Sequence, residues 1–444
     1  MIRKLLFTVC LFPLLAVAQH TIKGTFTPAE DYKWVLLYRI SPTNTFYTAD
    51  TRVDEEGNFT LKLDSTVTKG MYRIVYALPP ETYNFDVIYN GEEDIELTFS
   101  DTHGVVFTIS KENQLLAAYE EEVYKVRSEI GSKYRKGYEE VEGLFKTLGE
   151  LQNVFENEAE GTIASNFIKA NKAYIPSEAE DLTNYVKNTK ATYFENVDFN
   201  NPILQTSNFL FEYTFNYIKG FVGKDENVPD AYEKNINTVN ELIQNSDTQY
   251  QKVLLHHLWQ KFVDINRVGT ANYIAEKYLI PVSTRVMDLE LVEKLVLFKR
   301  LSLGEKAPDF SWEEDVEGKT IKNSLHKVDI AQRYVIVFWS SQCSHCLKEV
   351  PQIHSKVKAL EKGLVKVITV GLEDEPYDWQ NTIYDFPEFI NVLGLGKWEN
   401  KIGDAYGIDS TPTYFVLDEN KKIVAKPEDL EKLMEVLSLK TVDK

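Results

Sequence analysis

The chain has 444 residues, enough for two or three domains, and its 43% hydrophobic and 26% charged residues exclude a disordered chain. A formal net charge of −19 argues against binding nucleic acid or anionic lipid headgroups. Beyond the N-terminus, no stretch approaches the roughly eighteen apolar residues of a membrane-spanning helix.

Residues 1–18 read as a secretory signal. Arg3 and Lys4 precede an apolar run from Leu5, and Ala16-Val17-Ala18 supplies a small-x-small cleavage site before Gln19. The run is short and interrupted by Pro13, unlike a membrane anchor, and Cys10 lacks the small residue before it that lipid attachment wants. Removing this segment leaves a charge of −21 and two of the three cysteines, Cys343 and Cys346. In an oxidising compartment such a pair is either a local disulfide or a redox couple. A structural staple gains more from a longer loop, which favours the redox couple.

Residues 19–110 predict a β-rich, sandwich-like domain. Alternating segments at 20–26, 34–40, 45–53, 58–63, 71–77, 85–89 and 95–99 are separated by turn signals such as Glu56-Gly57-Asn58 and Asn90-Gly91. No His, Asp or Glu cluster at metal-ligand spacing stands out, and an adaptor or docking domain is expected. Residues 111–301 predict a helical domain. Leu115, Tyr119, Val123, Val126 and Ile130 recur at steps of three and four, and residues 253–265 pack apolar side chains at helical density. The adjacent His256 and His257 point about 100° apart on a helix and chelate one metal poorly.

Residues 302–444 alternate strand and helix patterns, with a hairpin-like stretch at 310–321. Strands are expected at 334–339, 365–372, 390–395, 414–417 and 422–425. Helices are expected after Cys343 and at 378–384, 397–406 and 428–437. That order indicates an α/β sheet. Its centre is the stretch YVIVFWSSQCSHCLKEVP, residues 334–351. An apolar strand breaks at Ser340-Ser341-Gln342, and a helix follows whose apolar face is Cys346, Val350, Ile353, Val357 and Leu360. Cys343 is expected in the first helical turn, where unpaired N–H groups favour a thiolate. This is a place for thiol chemistry.

From about Gly304 onward the chain resembles the TlpA/ResA-type thioredoxin-like proteins of the bacterial envelope. The resemblance rests on Ala307-Pro308-Asp309-Phe310, on Phe338-Trp339 before Cys343-Ser344-His345-Cys346, on Pro351 in the helix, and on Thr411-Pro412 before a strand. It covers about a third of the chain closely. The β and helical segments ahead are similar, more loosely, to the long multidomain members.

The resemblance implies an α/β thioredoxin-like fold and an envelope or periplasmic thiol–disulfide oxidoreductase with no cofactor. Its partners would be protein thiols and disulfides and an envelope electron donor or acceptor, with membrane association only through partners. Cys343 is expected to attack and Cys346 to resolve the mixed disulfide. An ordinary thiol, with a pKa of about 8.5, is only a few per cent thiolate at pH 7, and lowering it by about 1.5 units makes roughly half reactive. His345 between the cysteines is expected to stabilise thiolate and lean the couple toward oxidation or isomerisation. Most relatives, by contrast, are reductants that keep apocytochrome or other thiols reduced.

Glu349, about 60° around the helix from Cys346, is expected to be a partly buried proton acceptor, with burial raising its pKa. It would stand in for thioredoxin's buried strand acid, whose place is taken by Val337. Thr411-Pro412 is expected to hold a cis peptide bond facing the cysteines, and Trp339, Thr411 and Pro412 to meet the partner. Gln342 departs from the family's aromatic at that place, which bears on docking. A peroxidase is disfavoured, because Ile336 and Ser340 occupy the positions where that motif has Pro and Thr. Copper delivery through the same cysteines, or a binding protein with the disulfide as a latch, are the other readings.

Overall fold

The computed structural model describes residues 20–80, 82–137, 141–178, 180–224, 226–316 and 319–438. The expected signal segment, 1–18, lies outside them. The chain divides into two compact units, Met1–Val282 and Ser283–Lys444.

In the first unit, alternating apolar residues build β1 (Thr21–Thr27), β2 (Trp34–Ile40), β3 (Thr45–Arg52), β4 (Asn58–Lys62), β5 (Gly70–Val75), β6 (Asn84–Tyr89), β7 (Ile95–Ser100) and β8 (Gly104–Ile109). They form two four-stranded sheets, ordered β4-β1-β7-β8 and β3-β2-β5-β6. Side chains of both sheets, among them Ile22, Phe26, Val35, Leu37, Leu61, Ile74 and Leu97, make one core. The expected turn at Glu56-Gly57-Asn58 needs its glycine. Gly57 has φ +85°, and a Cβ there would lie 2.2 Å from the Phe26 carbonyl oxygen. β8, absent from the segments read in the sequence, pairs antiparallel with β7.

Helices α1 (Lys111–Arg135), α2 (Glu142–Glu158), α3 (Ala164–Ala170), α4 (Leu182–Thr192), α5 (Phe209–Gly220), α6 (Val228–Ile243), α7 (Thr248–Asp264), α8 (Val268–Ile274) and α9 (Ile280–Arg285) follow. The stripe read in the sequence is the buried face of α1, where Tyr119, Val123 and Ile130 are sequestered. Asn113 of α1 clasps β6: its side-chain amide donates to the Ile88 carbonyl at 2.7 Å and accepts from the Ile88 N–H at 2.8 Å. His256 and His257 diverge as expected, the first stacking on Trp259 and the second tilting against Phe211.

The second unit carries α10 (Leu289–Arg300), the hairpin β9–β10 (Ser311–Val316, Lys319–Ser324), β11 (Arg333–Trp339), α11 (Cys346–Lys358) and β12 (Val365–Glu373). After these come α12 (Tyr377–Ile383), β13 (Ile390–Leu395), α13 (Lys401–Ala405), β14 (Thr413–Asp418), β15 (Ile423–Ala425) and α14 (Leu430–Ser438). The sheet order is β13-β12-β11-β14-β15. β11, β12 and β13 run parallel, while β14 is antiparallel to β11.

Successive side chains of β11 face opposite sides. Tyr334, Ile336 and Phe338 enter one core, and Val335, Val337 and Trp339 join the core that holds α11 and α14 residues. The sequence pattern groups α10 with the preceding helices, but Leu297 and Leu301 pack into the first of these two cores. The helix expected at 397–406 is instead a 3-10 turn, Lys397–Glu399, followed by α13. Asn400 separates the two by capping α13, accepting from the N–H groups of Ile402 and Gly403. Among the described residues, no helix is long and apolar enough to cross a membrane.

Candidate active site

β11 is buried along nearly its whole length, so the chain must leave the core where β11 ends. It does so only after Ser340 and Ser341, which are still buried, at exposed Gln342, and α11 then begins at Cys346 with His345 as its N-cap residue. Cys343 therefore lies just ahead of the first helical turn rather than within it. Its carbonyl accepts the Leu347 N–H at 3.1 Å, closing that turn.

Cys343 and Cys346 form a disulfide with Cα atoms 5.2 Å apart. The two sulfurs live in different surroundings. Cys346 is fully buried in the core that also holds Trp339, Val350 and Trp379, whereas Cys343 is half-buried at the margin of that core. The Cys346 N–H points at Cys343 Sγ from 3.1 Å. This helix-end donor, which has no partner within the helix itself, is suited to a thiolate on Cys343. On the other side, the Thr411 carbonyl oxygen lies 3.4 Å from the same sulfur. The Thr411–Pro412 peptide bond is cis, as expected, and both residues are half-buried.

His345 is exposed, and its backbone carbonyl accepts from Lys348 and Glu349 at 3.0 Å each. Gln342 is exposed as well. Glu349 is half-buried on the edge of the helix's apolar face, while Lys348 is exposed. One Glu349 oxygen accepts a short hydrogen bond from the hydroxyl of Tyr414, a β14 residue almost fully inside the core. Burial, and then that carboxylate, push the Tyr414 hydroxyl well above its ordinary pKa, so it stays a donor.

Trp339 corrects an expectation. It is completely buried, so it cannot meet a partner and instead backs Cys346. As the last residue of a strand covered on both faces, it has no route to solvent.

The structure also brings in two residues that the sequence reading passed over, Tyr414 and Glu373. Glu373 ends β12 and is 2% exposed. Its two carboxylate oxygens accept from the Ser341 N–H at 2.5 Å and from the Ser340 hydroxyl at 3.1 Å. The available signal was a charge closing the apolar run VITVGLE. Among the described residues, no group of three or more His, Cys, Asp or Glu is placed to hold a metal ion.

Residues 303–426 match the AhpC/TSA family. The thiol-disulfide oxidoreductase ResA of Bacillus thuringiensis is 30% identical over 136 residues, covering 28% of this chain and 69% of ResA. The chain belongs to the TlpA/ResA-type thioredoxin-like family. Like other members of the TlpA/ResA type, it is a thiol–disulfide oxidoreductase.

ResA of Bacillus subtilis is 26% identical over 125 residues, covering 28% of this chain and 66% of that protein. Among solved structures, the thioredoxin domain of a thiol-disulfide oxidoreductase from Bacteroides vulgatus is 27% identical, with a TM-score of 0.27. It covers 31% of this chain and 96% of that one. These similarities each span less than a third of the chain.

Proposed function

We propose that the protein works in the bacterial envelope, exchanging disulfides with partner proteins through Cys343 and Cys346. The observation that carries this reading is the unequal pair of sulfurs, one at the margin beneath a helix-end N–H and one sealed in the core. In the reducing direction, the Cys343 thiolate attacks one sulfur of a partner disulfide and expels the other as a thiolate. Cys346, giving up its proton, then attacks the Cys343 sulfur and releases the second partner thiol. The partner gains two electrons and two protons, and Cys343–Cys346 is left oxidised.

In this reading Glu349 accepts the Cys346 proton, and Thr411 and Pro412 receive the partner backbone beside Cys343. Exposed His345 tunes the couple, and Trp339 seals its inner side. The segments 19–110 and 111–301 serve to position the redox unit or recruit partners. The envelope location rests on the signal pattern of residues 1–18.

Insulin reduction in the presence of a dithiol donor tests the proposal. The wild type should turn over, Cys343→Ser should be inactive, and Cys346→Ser should stall as a covalent mixed disulfide. A wild type that neither reduces insulin nor refolds a scrambled disulfide substrate would leave the disulfide as a latch and sink the proposal.

A further inference from the structure

Glu373 is a buried carboxylate that the exchange chemistry leaves unused. It reaches its place through sheet register, since Trp339 of β11 lies opposite Gly371 of β12. Two residues further along β12, the Glu373 side chain passes under the loop that carries the cysteines. One oxygen takes the Ser341 N–H and the other the Ser340 hydroxyl. Ser340 in turn holds the rest of the loop. Its hydroxyl oxygen accepts from the Gln342 N–H at 3.2 Å, and its carbonyl accepts from the Cys343 N–H at 3.1 Å.

The loop from 340 to 343 is thus anchored to one acidic side chain. The Glu373 backbone is itself pinned, because its carbonyl accepts from Gly396 at 3.0 Å. Both carboxylate oxygens act as acceptors, the bonding pattern of the anion. A buried anion is costly without such partners, and a neutral residue would hold the loop more cheaply.

We propose that Glu373 is a positioning residue whose buried charge also sets the poise of the Cys343–Cys346 couple, favouring the disulfide and making the protein an electron donor. This rests on reading the pair as a redox couple. A fixed negative charge hydrogen-bonded to Ser340 and Ser341, the latter two residues before Cys343 on the same loop, opposes the thiolate of the reduced form and leaves the disulfide untouched, so the reduction potential falls. Other charged or titratable groups on the elements that carry the pair and its anchor are His345, Lys348, and Glu349 with its partner Tyr414, and Asp374, next to Glu373, pairs with Lys397 at 3.4 Å. Of these, His345 when charged and Lys348 push the potential upward and oppose Glu373.

The test uses the full chain, equilibrated in glutathione redox buffers and trapped by alkylation. Glu373→Gln keeps an acceptor for the Ser341 N–H and removes the charge. It should shift the equilibrium constant toward the dithiol by about tenfold, about 30 mV upward. It should also move the midpoint of Cys343 alkylation to lower pH, with unfolding unchanged. Ser340→Ala, which loses one anchor and keeps the charge, should leave the potential within about twofold of wild type in equilibrium constant. Unchanged potential and alkylation midpoint in Glu373→Gln overturn the inference, as do equal shifts in both variants. A wild type that never equilibrates with glutathione overturns the redox reading, and this inference with it. A wild type that equilibrates beside an unmoved Glu373→Gln overturns this inference alone.

Discussion

Replacing Glu349 with Gln should separate the two halves of the exchange reaction. Cys346 is fully buried among apolar side chains, so no bulk water reaches its thiol to take the proton. Glu349 lies one helical turn on, where side chains three apart sit about 5–6 Å from each other at Cβ, a distance one water can bridge. It is half-buried, so the proton has an onward path to solvent, and Tyr414 fixes its orientation. An ordinary thiol is only a few per cent ionised at pH 7, so the resolving step needs a group to take its proton. Loss of a positioned base typically costs about 10²-fold or more, equivalent to about 2.7 kcal/mol of barrier.

Glu349→Gln should therefore slow resolution of the mixed disulfide about 10²-fold. The initial attack by Cys343, which faces Thr411 and the Cys346 N–H instead, should change by less than about threefold. The assay mixes reduced protein with a disulfide-bonded peptide, quenches with acid and follows the mixed disulfide by mass. Transient accumulation in the variant is the expected signature. Resolution at the wild-type rate, or equal slowing of both steps, would refute the proton-acceptor role.

Two further predictions concern packing and pH. A Cβ at Gly371 would stand 2.2 Å from Trp379 Nε1 and 2.3 Å from its Cδ1, so Gly371→Ala must displace a buried ring. It should cost about 1–3 kcal/mol, read from urea unfolding followed by tryptophan fluorescence; an unshifted midpoint would contradict the packing. The hydrogen bond from His354 holds Glu388 down to about 2, below its ordinary 4.5. A depressed carboxylate stabilises the fold above its unfolded pKa, and that contribution is lost as pH falls through the folded one. Wild type and Glu388→Gln should therefore differ most in stability above about pH 4.5 and converge near pH 2. A gap that persists to pH 2 would show that the pair acts otherwise.

Much of the site was legible because its spacing is local. Two cysteines three residues apart, at the point where an apolar run gives way to a period-3.6 pattern, specify a strand–helix junction whatever the rest of the chain does. Apart from β8, which was not read, the strands of both units followed from alternation and turn residues for the same reason, to within a few residues. The 3-10 turn before α13 was harder to read. Its break comes from one Asn400 side chain capping a neighbour, a local device that periodicity does not register.

The amino-acid sequence by itself determined the chemistry: a vicinal-type cysteine pair at a helix start, with Glu349 one turn on and a Thr-Pro preceding a strand. Only the tertiary structure decided which polar groups support that pair. Tyr414 meets Glu349 across 65 positions, and Glu373 meets Ser341 across 32, because β14 and β12 pair with β11 in one register. Trp339 turned from an expected partner contact into core for the same cause. Local periodicity is set by the geometry of neighbouring residues, whereas long-range meetings depend on how strands align, and a slip of one residue would turn every side chain of β12 to the opposite face.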